Sequence, residues 1–336
     1  MAAIGAAASI SVKTEIWMMR YIATVCALAM IACAACAQDY PTKAIRLQVG
    51  FPPGGPTDLT ARLAAQHLTE ALGEQVIVDN RPGAGGTVSM TALTQAPSDG
   101  YTLALCSNGE MAISPNLRPS LAYDPLKSVA FISRIGASQL VLVVHPSLPA
   151  KSVKELIGLA RARPGAINFA SAGVGSTAHL SSELLKNMAA IDIVHVPYKG
   201  AGPAMTDLMG GQVQMLITGF SGAAPHVKAG KLHALGATGA KRMAAMPDLP
   251  TIAETVPGYE VTSWYGVVAP VGTPRSVIKR LHEVLAAMTR QPEITARLVA
   301  LGIEPEGSSP EEFAAQTRRE IAKWAKVIKT AGVKLD

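Results

Sequence analysis

Gly50-Phe-Pro-Pro-Gly-Gly-Pro-Thr-Asp58 joins an extended run at residues 46–51 to a helical pattern at 58–72, with Leu59, Leu63, Leu68 and Leu72 as its apolar face and Gly73 at its end. A strand running through a glycine turn into a helix is one half of a βα unit. Gly54 and Gly55 let backbone N–H groups approach a ligand closely. A helix start also carries unpaired donors and partial positive charge, so a carboxylate can bind there without Arg or Lys. Thr57 is placed to cap the helix and to donate outward. Asp58 either braces the glycine turn or meets a ligand amine. Pro53 to Asp58 are therefore candidate binding residues, and the alternative is a plain strand-to-helix turn. Gly50 and Gly55 have phosphate-loop spacing, but Pro56 stands where a nucleotide-binding lysine is needed, which excludes that chemistry.

The same rhythm continues on both sides. Extended runs at 46–51, 75–79 and 101–106 alternate with helical patterns at 58–72 and 87–95. Later, helical stretches at 152–162, 176–188 and 204–209 alternate with extended ones at 167–170, 193–197 and 213–217. This predicts an α/β protein of two lobes, each a mostly parallel sheet flanked by helices. Two nearly continuous apolar runs, 139–145 and 263–270, read as crossover strands joining the lobes. Lobe one is expected to span 38–143 and 263–336, and lobe two 144–262. Two crossings permit closure about a cleft.

Residues 1–37 read as an export signal: Lys13 and Arg20, an apolar run at 21–32, and Ala35-Cys36-Ala37 before Gln38. Met18 and Met19 just ahead of Arg20 suggest a start there, leaving 1–17 outside the natural precursor. Cys26, Cys33 and Cys36 lie in the signal, so Cys106 is the one cysteine of the mature chain and no disulfide can form within it. Neither Cys33 nor Cys36 has Leu three residues before it, which favours a soluble exported protein over a lipid anchor at either.

With 49% hydrophobic and 16% charged residues, the chain is a compact globular protein. Its net charge is +6, and losing Lys13, Arg20 and Glu15 with the signal leaves +5. The basic residues are scattered and aromatics total 4%, so nucleic-acid binding is not indicated. Ala286 stands where a zinc protease needs its second His after His282-Glu283, and neither a metal nor a cofactor is expected.

Ala170-Ser-Ala-Gly-Val-Gly-Ser-Thr-Ala-His-Leu180 is a second strand, glycine turn and helix start. Ser176 is a natural N-cap. Gly173, Val174, Gly175, Ser176 and Thr177 thus become the opposite wall of the cleft. Gly-x-Ser-x-Gly is not met here and a Ser176/His179 pair has no third partner, so a hydrolase is disfavoured. His179 reads as a packed or capping residue before it reads as a base. Tyr198 and Lys199, at a third strand-to-helix junction, together with Ser107, Asn108 and Thr218 at strand ends, complete the candidate set. Arg81-Pro-Gly-Ala-Gly-Gly86 is either a further backbone cradle or a flexible turn.

At these residues the chain resembles the Bug-type receptors, the extracytoplasmic solute-binding proteins of tripartite tricarboxylate transporters. The resemblance rests on Tyr40-Pro-Thr-Lys, Phe51-Pro-Pro-Gly-Gly-Pro-Thr-Asp58, Asn80-Arg-Pro-Gly-Ala-Gly-Gly86, Asp99-Gly-Tyr-Thr-Leu103, Gly175-Ser-Thr-Ala-His-Leu180, His195-Val-Pro-Tyr-Lys-Gly200 and Ala322-Lys-Trp324, in that order and spacing. It implies a type II periplasmic-binding-protein fold in a monomer that is not an enzyme. The cleft would grip a small organic acid through backbone amides and ordered water. Membrane transporter subunits are the implied partners and the periplasm the implied location, with presentation to a sensor kinase as the alternative. Thr218 and Val174 stand where relatives often have Asp or Asn, which points to a less polar acid than an amino acid.

Overall fold

The computed structural model describes residues 40–334, so the expected signal segment and its cysteines lie outside the described residues. Residues from Lys43 onward form one unit, and the description that follows concerns that unit. It begins with β1 (Ile45–Val49), α1 (Pro56–Leu72), β2 (Val76–Asn80), α2 (Thr87–Thr94) and β3 (Thr102–Ser107), with β2 and β3 parallel to β1 on either side. Ile45, Leu47 and Val49 on one face of β1 are fully buried and Gln48 on the other is 3% exposed, so the strand is covered on both sides beyond Arg46. Proline at the first position starts α1 and left-handed Gly73 ends it. Gly55, and not Thr57, occupies the N-cap of α1, so the expected capping role of Thr57 is not realised.

A short π-turn (Gly109–Ile113) runs into α3 (Ser114–Leu117). The chain then enters β4 (Val129–Val144), a 16-residue strand. Only its last third was anticipated as a crossing, because Ser133, Arg134, Gly136 and Ser138 interrupt the apolar run. Arg134 is buried in an ion pair with Glu306 at 2.9 Å and donates to Gln316 Oε1 at 2.6 Å. Two register shifts against its neighbour strand accommodate the irregular stretch.

The second half supplies α4 (Val153–Ala162), β5 (Asn168–Ser171), α5 (Thr177–Ala189), β6 (Val194–Pro197), α6 (Ala201–Met209), β7 (Met215–Gly219), α7 (Phe220–Lys228) and β8 (His233–Ala237). The chain ends with β9 (Thr262–Pro270), α8 (Arg275–Met288), α9 (Pro292–Ala300), β10 (Ile303–Pro305) and α10 (Pro310–Ala331). Strand order is β2-β1-β3-β9-β4-β7-β5-β6, with β8 and β10 also on β4. The outer strands of each half are parallel, whereas β4 and β9 are antiparallel to their neighbours.

The early part of β4 pairs with β9 and β10, and its last five residues pair with β7 and β8, so one strand serves both halves. Thr238 ties the two crossings together. Its N–H donates to Leu140 O at 2.9 Å, its Oγ1 accepts from Leu140 N at 2.8 Å and donates to Val261 O at 2.7 Å, and Val261 N donates back to Thr238 O at 2.8 Å. With Thr238 fully buried, both links are fixed at one residue. Helix α10 lies along both halves: Phe313 meets Trp264 and Phe131 edge-on, and Trp324 joins the buried cluster containing Leu142, Leu156 and Phe169.

Candidate functional site

A cavity of about 500 Å³ opens where the strands of both halves end. The first half contributes Phe51, Thr57, Gly85, Ser107, Asn108 and Gly109, and one helical face carrying Ile113, Ser114, Leu117 and Arg118. From the second half come residues 172–178, Ala201 and Thr218, while Leu140 and Ser263 stand at the crossings. Among the described residues lining it, no carboxylate occurs and Arg118 is the one charged side chain.

Several residues expected from sequence meet here: Thr57, Gly173, Val174, Gly175, Ser176, Thr177, Ser107, Asn108 and Thr218. Pro53, Gly54, Gly55, Asp58, His179, Tyr198 and Lys199 lie outside the lining. Pro53, Gly54 and Lys199 are exposed, and the Tyr198 hydroxyl donates to Asp207 Oδ2 at 2.7 Å.

Asp58 is the brace of its loop. Only 1% exposed, it accepts from Gly54 N, Arg62 Nε and Asn80 Nδ2, each at 2.9 Å. It therefore does not meet a ligand amine. Burial alone would raise its carboxyl, but the hydrogen bonds from Arg62, Gly54 and Asn80 and the Arg62 charge outweigh that and hold it below the ordinary value of 3.8. Its contribution to stability is full above 3.8 and is lost as pH falls through the lowered folded value. Asp58→Ala leaves three donors without their acceptor and is expected to cost about 3 kcal/mol, read by urea unfolding. An unchanged midpoint would show the loop to be held by other contacts.

In the glycine turns several of the backbone amides are already engaged. The N–H of Gly54 is taken by Asp58, that of Gly173 by Ser171 Oγ at 3.1 Å, that of Gly175 by His179 Nδ1 at 3.1 Å, and that of Ser176 by Gly173 O at 3.1 Å. These bonds shape the turns and occupy the amides of Gly54, Gly173 and Gly175. The donors left for a ligand include Val174 N–H and those of Thr57, Thr177 and Ala178, which sit in first helical turns without an intrahelical acceptor. Ser114 and Thr218 add hydroxyls. Asn108 is oriented by Ser263 Oγ, which donates to its Oδ1 at 3.2 Å.

Ser176 Oγ accepts from His179 N at 3.2 Å, the geometry of an N-cap. The His179 ring faces the other way, accepting from Gly175 and stacking on His195 with centroids 3.8 Å apart. The Ser176/His179 pair is thus a cap and a packed ring, with no nucleophile-to-base contact.

Beneath the floor lies Glu110, 1% exposed, accepting from Ser107 N at 2.9 Å and Ser107 Oγ at 2.7 Å. Burial pushes its carboxyl up to about 7 against those two bonds. A Cβ on Gly86 would stand 3.1 Å from this carboxyl group, so the 83–86 turn needs glycine to pack over it. Ala84 and Gly85 of that turn line the cavity. Sequence reading missed Phe51, Gly109, Ser263 and Arg118. Arg118 shares an i, i+4 face with Ser114, but Pro115 breaks the helical pattern that would have revealed it.

Two α/β halves sharing a long strand, with a cavity walled by helix starts from each, define a two-lobed binding protein of the type II periplasmic kind. The chain belongs to the tripartite tricarboxylate transporter family receptors, whose profile matches residues 60–333. This is a family of solute-binding receptors and not of enzymes. The chain is similar to BugT of Bordetella pertussis, with 37% identity over 311 residues covering 92% of this chain and 95% of that protein. Among solved structures it is similar to R. palustris Rpa4515 with adipate, at 39% identity and a TM-score of 0.80 over 88% of this chain and 99% of that one. It is also similar to MatC from Rhodopseudomonas palustris with bound malate, at 31% identity and a TM-score of 0.74 over 86% and 100% of the two chains.

Proposed function

We propose that this protein is an exported receptor that captures a small organic acid between its lobes and delivers it to membrane transporter subunits. The observation that carries the reading is the chemistry of the cavity wall: amide donors at two helix starts, hydroxyls, one guanidinium and, among the described residues, no carboxylate. Such a wall favours an anion and repels no part of it. The structures of relatives with adipate and with malate support a carboxylate as that anion. Lobe one, 38–143 with 263–336, and lobe two, 144–262, would close over it about the Thr238 crossing, and the closed form would be read by the membrane partner.

Phe51, Ile113, Leu117, Leu140 and Val174 give the wall an apolar belt, in keeping with an acid less polar than an amino acid. A thermal-shift panel of mono-, di- and tricarboxylates and acidic amino acids tests this. An acid at about a hundred times its Kd adds about 2.7 kcal/mol, a rise of several degrees in Tm. Stabilisation by aspartate or glutamate only would refute the apolar preference, and silence across the whole panel would refute the carboxylate reading. No helix among the described residues is long and apolar enough to cross a membrane, and export would rest on residues 1–37.

A further inference from the structure

Glu110 is a buried carboxyl group with no opposite charge to answer it. It is 1% exposed and makes no ion pair among the described residues. Ser107, to which it is bonded, lines the cavity. The wall itself therefore lacks a carboxylate, but one lies directly behind it. Taking an unpaired carboxylate out of water is costly, so such a group holds a proton more readily than an exposed one.

The Ser107 hydroxyl decides what that proton does at the cavity. It donates to Glu110 Oε2 at 2.7 Å and accepts from Gly109 N at 3.3 Å, while Ser107 N donates to Glu110 Oε1 at 2.9 Å. A hydroxyl has one proton and two acceptor sites. With Glu110 ionised, that one proton points at the carboxylate and is withheld from a ligand. With Glu110 protonated, the carboxyl O–H donates to Ser107 Oγ, Gly109 N fills the other acceptor site, and the Ser107 proton turns outward into the cavity. Protonation removes a buried negative charge and frees a donor at the wall, and both changes favour an anion there.

The surrounding groups leave this role to Glu110. Cys106 on β3, Tyr123 in the connection to β4 and Tyr265 on β9 are all raised by burial, with the Glu110 charge adding to it, so they are neutral around neutral pH. The Tyr123 hydroxyl donates to the Glu110 carbonyl at 2.7 Å, not to its carboxyl. Arg134 on β4 is paired with Glu306 at 2.9 Å, and on α10 Glu320 is paired with Lys323 at 2.8 Å. The charge of Arg118, just beyond α3, is felt at Tyr123 and not at Glu110. The 83–86 turn packed over the carboxyl brings no ionisable side chain.

We infer that Glu110 is a positioning residue that couples capture of the acid to uptake of a proton: it takes the proton as the anion docks and thereby turns the Ser107 hydroxyl onto the ligand. This rests on the carboxylate-receptor reading and deepens it with a regulation of the same site. The proton comes from solvent. Ser107 passes its own proton to Oε2 and takes another from the cavity side, and the exchange reverses when the acid leaves. Because burial already holds Glu110 at about 7, a nearby anion has little further to push it at neutral pH.

The test is calorimetry with malate, with adipate and with the most stabilising acid of the thermal-shift panel, in two buffers of different ionisation enthalpy. At about pH 7.5, with the carboxyl groups of the acids already ionised, wild type is expected to take up about half a proton or more per acid bound. Its affinity should fall about fivefold or more from about pH 7 to 8.5. Glu110→Gln offers Ser107 a permanent donor in place of the proton. Its uptake should vanish, and at about pH 8.5 it should bind within about threefold of wild type at pH 7. A residue with only a structural role would weaken binding at every pH when replaced. Ser107→Ala should weaken binding at about pH 7 by about fivefold or more. Binding by wild type without proton uptake, uptake that persists in Glu110→Gln, or undiminished affinity in Ser107→Ala overturns the inference while the receptor reading stands. Silence of wild type toward every acid of the panel overturns both. The wild-type proton count is decisive alone, so a variant that fails to fold does not remove the test.

Discussion

Gly173→Val is expected to lower affinity for the bound acid by about 100-fold or more, while Gly55→Val stays near wild type. Gly173 has φ +127°, a region side chains rarely adopt, and a Cβ there would stand 3.2 Å from Tyr198 O. Holding a non-glycine residue in such a conformation costs on the order of 1–3 kcal/mol, so the turn would relax by rotating. Rotation breaks the bonds of Gly173 N to Ser171 Oγ and of Ser176 N to Gly173 O, which aim the start of α5 at the cavity. The donors at Val174, Thr177 and Ala178 would be displaced together.

Gly55 is the contrast. It has φ −80°, and its added Cβ would lie 3.9 Å from Pro52 O, an ordinary contact. The two variants separate a glycine that shapes the site from one that only precedes a helix. Calorimetry with the best acid of the panel checks this, using circular dichroism to confirm that both fold. Wild-type affinity in Gly173→Val would remove the second turn from the binding site.

The glycine turns show what sequence can and cannot convey. A strand, a glycine pair and a helix start are local patterns, so the positions of α1 and α5 were readable, as was the presence of two halves. Which N–H groups remain unpaired is not local. Gly175 is occupied by an imidazole four residues on, Gly54 by a carboxylate that also holds Asn80 from another strand, and neither spacing announces this. Arg118 was hidden for a different reason. Its place depends on Asn116 reaching α10, a contact across 205 residues. The length of β4 was masked because Ser133 and Arg134 find partners far along the chain, at residues 306–316.

The largest pH effect on stability is expected from His179 and His195, between pH 6.5 and about 4. Their rings stack with each other, and Phe169 lies 4.9 Å beyond His195. Burial lowers both to about 4, helped for His179 by the charge His195 would carry. Above pH 6.5 both states of the protein hold them neutral and they contribute no slope. Below it the unfolded chain takes up protons that the folded one refuses, so stability falls until about pH 4. The loss is about 3 kcal/mol for His179, which is 4% exposed, and less for half-buried His195.

Glu110 acts in the opposite sense. Raised to about 7 in the fold from an ordinary 4.5, it makes the folded state the better proton acceptor, so its contribution grows as pH falls from 7 to 4.5. Glu183 and Glu306, also raised by burial, act in the same direction. Wild type should therefore show a shallow slope that conceals two steep ones. Urea unfolding of Glu110→Gln from pH 7.5 to 4.5 should uncover a fall of several kcal/mol, and adding His179→Gln should flatten it again. A Glu110→Gln profile left unchanged by adding His179→Gln would mean that His179 titrates normally. The same protonation has a consequence at the cavity, because a protonated His179 Nδ1 can no longer accept from Gly175 N. Ligand affinity should then decline over the same range, with the start of α5 loosened before the rest of the fold.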